Sequence, residues 1–123
     1  MDKTIIIGGR PVLFRKTGGT GLRYKRQFGR ELFADLSQIY AAYPLFAQIK
    51  SGEAGKETAV HTLLGIETEW MYDIAYIMAQ QADPTITDEI AWLDSFDSFN
   101  IWKVFMQLFD LIKEEQTASP KNA

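Results

Sequence analysis

The chain has no cysteine and a single histidine, His61, among 123 residues. Disulfides, thiolate metal ligands and a cysteine nucleophile are therefore excluded, and a reducing compartment is the expected setting. His61 has Glu57 one turn before it and Glu67 further on, which is not the facing histidine pair of a helix-borne zinc site. It falls toward the polar side of its helix and reads as a solvated side chain. No apolar run approaches the roughly 18–20 residues of a membrane-spanning helix, so no membrane partner is expected. The apolar start, Thr4–Ile7, is cut short by Gly8-Gly9-Arg10 and is too brief for a signal sequence. A G-x-S-x-G nucleophile elbow is missing as well. Asp94 and Asp97 are close, but their three-residue spacing beside helix ends is the pattern of capping carboxylates. Neither cofactor nor catalytic residue is assigned.

Acidic residues are scarce at the start and basic ones scarce thereafter. Residues 1–30 carry Lys3, Arg10, Arg15, Lys16, Arg23, Lys25, Arg26 and Arg30 against Asp2 alone, a local charge of +7. The remaining residues, 31–123, carry five Lys/Arg against fifteen Asp/Glu, a charge of −10, which accounts for the net −3. Such polarity fits a charge-matched partner or association between copies, with Arg23, Arg26 and Arg30 facing acids of a neighbour; homo-oligomerisation is expected. The same basic stretch, 10–30, supports an alternative reading as a small nucleic-acid-binding regulator, with Tyr24 and Phe28 interleaved among the cations. The acidic remainder weighs against an extensive nucleic-acid surface. Gly18-Gly19-Thr20-Gly21 ahead of these cations is not a phosphate loop, because Leu22-Arg23 stands where Lys-Ser/Thr is required.

One domain over 1–115 is expected, with a flexible polar tail over 116–123. Its class is mainly α (α+β): a small N-terminal β-hairpin over 4–16 and about four helices. Thr4–Ile7 and Pro11–Arg15 flank the two-residue turn signal Gly8-Gly9. The apolar spacing of Phe28, Leu32, Leu36, Ile39, Tyr40 and Tyr43 predicts a helix over about 22–42. Gly29 within it suggests a close backbone contact, and Pro44 begins a loop. The longest helix is expected over 56–81, with Val60, Leu63, Leu64, Trp70, Met71, Ile74, Ile77 and Met78 facing inward. Asp83-Pro84 ends it. Thr87 is the expected cap of a short helix over 88–95, and Asp97-Ser98 that of a last helix over 99–115.

The last helix has an apolar arc wider than one face: Ile101, Val104, Phe105, Leu108 and Ile112, broadened by Trp102, Met106 and Phe109. An arc this wide implies a central helix or one that meets another chain, and the second is favoured here. With Trp92, Phe96 and Phe99 it supplies a candidate partner-binding set: Trp92, Phe96, Phe99, Trp102, Phe105 and Phe109. Most of these rings are expected in the core, with one or two left at a surface.

The order of these pieces carries a resemblance. An Ile-rich strand, the Gly8-Gly9-Arg10 turn, a second strand and an Arg/Tyr-rich helix lead into Phe28-Gly29-Arg30-Glu31-Leu32. Trp70, the run Ala82-Asp83-Pro84 and then Trp92-Leu93-Asp94-Ser95-Phe96-Asp97-Ser98-Phe99 follow. Over roughly residues 4–112 this resembles the tail assembly chaperones of long-tailed (siphovirus-type) phages and prophages of Gram-positive bacteria. The resemblance implies a small, mostly helical protein without enzyme activity. It also implies binding to the tape measure protein, help in recruiting tail tube (major tail) subunits, and residence in the host cytoplasm during assembly but not in the mature virion.

Overall fold

A computed structural model of the chain describes residues 1–51 and 65–116, and side chains over 1–41 and 65–112. The class is α+β: an antiparallel N-terminal hairpin followed by five helices among the described residues. Strands β1 (Asp2–Ile7) and β2 (Arg10–Arg15) pair from Asp2 with Arg15 to Ile7 with Arg10. The turn between them is Gly8-Gly9, both with positive φ (57° and 78°), which glycine adopts without the Cβ penalty. Alternation along the strands sends Ile5, Ile7, Val12 and Phe14 inward and leaves Ile6 and Leu13 on the outer face.

The helices are α1 (Thr20–Phe28), α2 (Leu32–Ser51), α3 (Glu69–Ala82), α4 (Glu89–Asp94) and α5 (Ile101–Gln116). The core forms where β2 and α1 pack on α3, and where α5 lies against α3 and β1. Trp70, Met71, Ile74, Ile77 and Met78 are all buried, as their spacing predicts. Val60, Leu63, Leu64, Glu57 and His61 lie outside the described residues.

Several expected boundaries are corrected. The single helix over 22–42 is two helices, because Gly29 takes a left-handed conformation (φ 73°) and donates its N–H to Lys25 O at 2.7 Å. This is a C-terminal helix cap and not a close contact: no atom lies within 4 Å of where a Gly29 Cβ would stand. Lys25 pairs with Glu31, and the Tyr24 hydroxyl donates to Asp35 Oδ2 at 2.6 Å, fixing how α2 leaves the corner. Helix α2 also runs through Pro44, where a loop is expected. One proline removes a single backbone bond, which a long helix can absorb as a local bend. The helix expected over 56–81 starts at Glu69, since residues 65–68 are non-helical and Thr68 stands at its N-cap.

Caps at the C-terminal half move by one or two residues. Asp88, not Thr87, caps α4, its Oδ2 accepting from Ala91 N at 2.7 Å. Asn100, not Asp97 or Ser98, caps α5, its Oδ1 accepting from Lys103 N at 3.2 Å. The stop at Asp83-Pro84 is as predicted: α3 ends at Ala82, and Asp83 Oδ1 accepts from Thr85 N and Thr85 Oγ1 at 3.1 and 2.6 Å. These two bonds hold the exposed Asp83 carboxyl below its usual range.

Candidate partner-binding surfaces

The predicted aromatic set divides in two. Trp92, Phe105 and Phe109 are buried and belong to the core. Phe105 meets Trp70 edge-on at 5.0 Å between ring centroids, and Phe109 stacks on Phe105 at 6.2 Å. Helix α5 is therefore central, with Ile101, Val104, Leu108, Leu111 and Ile112 also buried, and its wide arc is covered from within. Phe96, Phe99 and Trp102 are only partly buried and rim that core. Trp92 holds the rim together, with Phe96 and Phe99 each 5.6 Å away in edge-on contact. The hairpin tip closes over it: the Arg10 guanidinium lies 3.9 Å from the Phe96 ring, and its Nη2 donates to Ser95 Oγ at 3.0 Å.

The basic segment is also divided. Arg15 pairs with Asp2 at 2.9 Å, Lys25 with Glu31, and Arg30 with Asp73 at 2.6 Å. Arg30 also approaches Asp35 Oδ2 at 3.6 Å, so this predicted self-association residue is committed to its own fold. Arg23 and Arg26 are exposed and have no carboxylate partner among the described residues.

Asp73 lies at a junction of three elements. It is buried on α3, accepts from Arg30, and is hydrogen-bonded to Glu89 of α4. Two carboxyl groups so close cannot both ionise at low cost, and Arg30 favours charge on Asp73. Burial, then the hydrogen bond and charge of Asp73, push Glu89 up to about 8. Glu89 therefore carries the shared proton near neutral pH. No group of His, Asp and Glu suited to a metal ion occurs among the described residues.

Sequence reasoning missed two surfaces. On α2, Phe33, Ala34, Ser37, Tyr40 and Ala41 are all exposed, forming an uncharged stripe opposite buried Leu32, Leu36 and Ile39. Phe33 is 66 % exposed, and Tyr40 turns its ring edge onto Phe109 at 5.3 Å. The signal is present in the i, i+4, i+7 spacing from Phe33, but the run from Phe28 to Tyr43 places Tyr40 on the inner stripe. The second is the flank of α4, where Ile90 is 64 % exposed beside Asp94. No protein-family model, curated protein or solved structure matches this chain.

Proposed function

We propose that this protein is a tail assembly chaperone that binds and shields the tape measure protein during phage tail morphogenesis and helps recruit tail tube subunits. The observation that carries the reading is the stripe Phe33, Ala34, Ser37, Tyr40 and Ala41 on α2, exposed and free of charge. Its spacing matches the ridge of a second helix laid along it, as in recognition of an amphipathic helix by an apolar surface. A tape measure protein is a long helical chain with apolar seams, so it presents the complementary ridge repeatedly. The motif order from the Gly8-Gly9-Arg10 turn to Phe99 supports the same reading. The protein acts by covering surface, and no step of bond making or breaking is assigned to it.

Less supports the nucleic-acid reading. Of the cations in 10–30, Arg15, Lys25 and Arg30 are paired with acids, Arg10 is engaged by Ser95 and Phe96, and Lys16 is buried. Arg23 and Arg26 alone would neutralise about two phosphates, which gives a weak, shallow salt dependence. Co-expression with a phage tape measure protein tests the chaperone reading. The client should be soluble with the wild-type protein and aggregate without it. Equal soluble client in both cultures would end the proposal.

A further inference from the structure

The two edges of the hairpin differ. Met1 and Lys16 exchange both backbone hydrogen bonds, N to O at 2.7 Å in each direction. Alternation along the antiparallel register then makes Lys3–Phe14, Ile5–Val12 and Ile7–Arg10 the bonded pairs. The N–H and C=O groups of Asp2, Thr4 and Ile6 therefore point away from β2, and no other group among the described residues takes them up. The matching outward positions on β2 are Arg15, Leu13 and Pro11. Pro11 has no N–H, so the β2 edge lacks a donor and is blunted as edge strands commonly are. The β1 edge keeps every donor and acceptor.

Helix α5 forms a shelf beside that open edge. Ile6 and Ile7 with Asn100, Lys103, Val104 and Gln107 line a groove of about 190 Å³. Lys103 is exposed, and its ammonium has no acidic partner among the described residues. On the outer face of the strand, Thr4 and Ile6 are exposed as well. Paired strands lie about 4.8 Å apart, whereas packed helices need about 8–10 Å. A second copy pairing at this edge would therefore drive its own α5 into this one, because α5 lies against β1. A strand that brings no helix beneath it meets no such obstacle.

We propose that the β1 edge takes up an extended segment of a partner protein as a third strand, and that this segment presents a carboxylate to Lys103. The outward groups of Asp2, Thr4 and Ile6 recur every second residue, which is the repeat of an added strand, and alternate side chains of that strand fall on opposite faces. Those on the outer face lie beside Thr4 and Ile6, where β-branched side chains pack well. Those on the inner face meet Lys103 and Gln107, which suit an acid flanked by small polar residues. The main chain supplies affinity and Lys103 supplies selection. The uncharged stripe of α2 takes no part, so the inference is independent of the helix-binding reading.

The probe is a capped hexapeptide, acetyl-Val-Thr-Val-Glu-Val-Thr-amide, titrated into the isotope-labelled full chain. Amide exchange at Thr4 and Ile6 should slow at least about tenfold at saturation, with Leu13 and Arg15 unchanged. Thr4→Pro removes an N–H that the hairpin does not use, and should lower affinity at least about tenfold with circular dichroism unchanged. Leu13→Pro, the same change on the β2 edge, should bind as wild type does. Replacing Glu by Lys in the probe should weaken binding about fivefold, and Lys103→Glu should reverse that preference. Unchanged exchange at Thr4 and Ile6, protection of Leu13 and Arg15 instead, or a folded Thr4→Pro variant of wild-type affinity would each overturn the proposal. So would equal binding of the Glu and Lys probes. Protection that follows protein concentration without the probe would give the edge to a second copy and overturn it too. Should Thr4→Pro fail to fold, the exchange pattern of the wild-type chain decides alone.

Discussion

Arg30 donates through Nη2 to Asp73 Oδ2 at 2.6 Å, tying the corner between α1 and α2 to the middle of α3 across 43 residues of sequence. Asp73 is buried, and the pair is completed by the Glu89 carboxyl on one side and by Asp35 near the Arg30 guanidinium on the other. Removing the cation leaves a buried carboxylate without its counter-charge. Arg30→Met should therefore destabilise the fold by about 2 kcal/mol, below the usual cost of breaking a fully buried pair because Arg30 is itself partly exposed. The double variant Arg30→Met/Asp73→Asn should recover part of that loss. Urea denaturation of the four proteins in the cycle measures the coupling, and strictly additive losses would refute a direct pairing.

The shared proton of Asp73 and Glu89 makes stability depend on pH. The folded-state pKa of Glu89 is pushed up to about 8 from the ordinary 4.5, first by burial and next by Asp73. The folded protein thus holds more protons than the unfolded chain between these values, so the slope of stability against pH is negative there. The contribution is fully present below pH 4.5, falls away as pH rises through about 8, and is then flat. Solvent reaches Glu89, so the expected loss is screened to about 1–2 kcal/mol. Glu89→Gln keeps a donor facing Asp73 and cannot ionise. Its thermal unfolding should show a flatter pH profile than wild type and higher stability at pH 8–9. An identical slope in both proteins would remove Glu89 from the account.

Gly29 gives a sharper test of backbone chemistry. Its φ of 73° lies in the left-handed region, and the space around it is open. Gly29→Ala therefore meets no steric block from neighbours and only the intrinsic cost of that conformation, about 1–2 kcal/mol. Gly29→Asn should cost less, because asparagine tolerates the left-handed region better than alanine. Equal losses for the two substitutions in chemical denaturation would mean that some other feature of Gly29 matters.

Local signals carried the hairpin well. Gly8-Gly9 between two β-rich runs specifies the turn, the turn specifies the register, and alternation then selects Ile5, Ile7, Val12 and Phe14 for the core. The stop at Asp83-Pro84 was legible for the same reason, since the restriction acts on adjacent residues. The corner at Gly29 was not, because the apolar spacing of Phe28, Leu32 and Leu36 runs smoothly across it. Gly29 supplies the left-handed break, but what holds the two helices at that corner is a set of contacts from Arg30, Tyr24 and Lys25 to Asp73, Asp35 and Glu31, and Asp73 is far away in sequence. The aromatic surface was half legible. Composition marks Trp92, Phe105 and Phe109 as large and apolar, but only packing decides that they face Phe14, Trp70 and Tyr40 and not a partner.

That packing determines which substitution can test client binding. Phe109 is fully buried, with Phe105 and Tyr40 against it, so Phe109→Glu places a carboxylate in the core. The fold should collapse, by several kcal/mol, and with it any binding, whatever the binding site. Phe33 is the informative position. At 66 % exposed it contributes little to the core, and Phe33→Glu should change stability by no more than about 0.5 kcal/mol. The charge nonetheless falls in the middle of the uncharged α2 stripe, where a docked helix would have to bury it. Soluble yield of co-expressed tape measure protein should therefore drop severalfold with Phe33→Glu while the chaperone remains folded by circular dichroism. Tyr40→Glu, one heptad further along the same stripe, should act in the same direction. A folded Phe33→Glu variant that keeps the client as soluble as wild type would move the client site away from α2, leaving the partly exposed rim of Phe96, Phe99 and Trp102 as the next surface to charge.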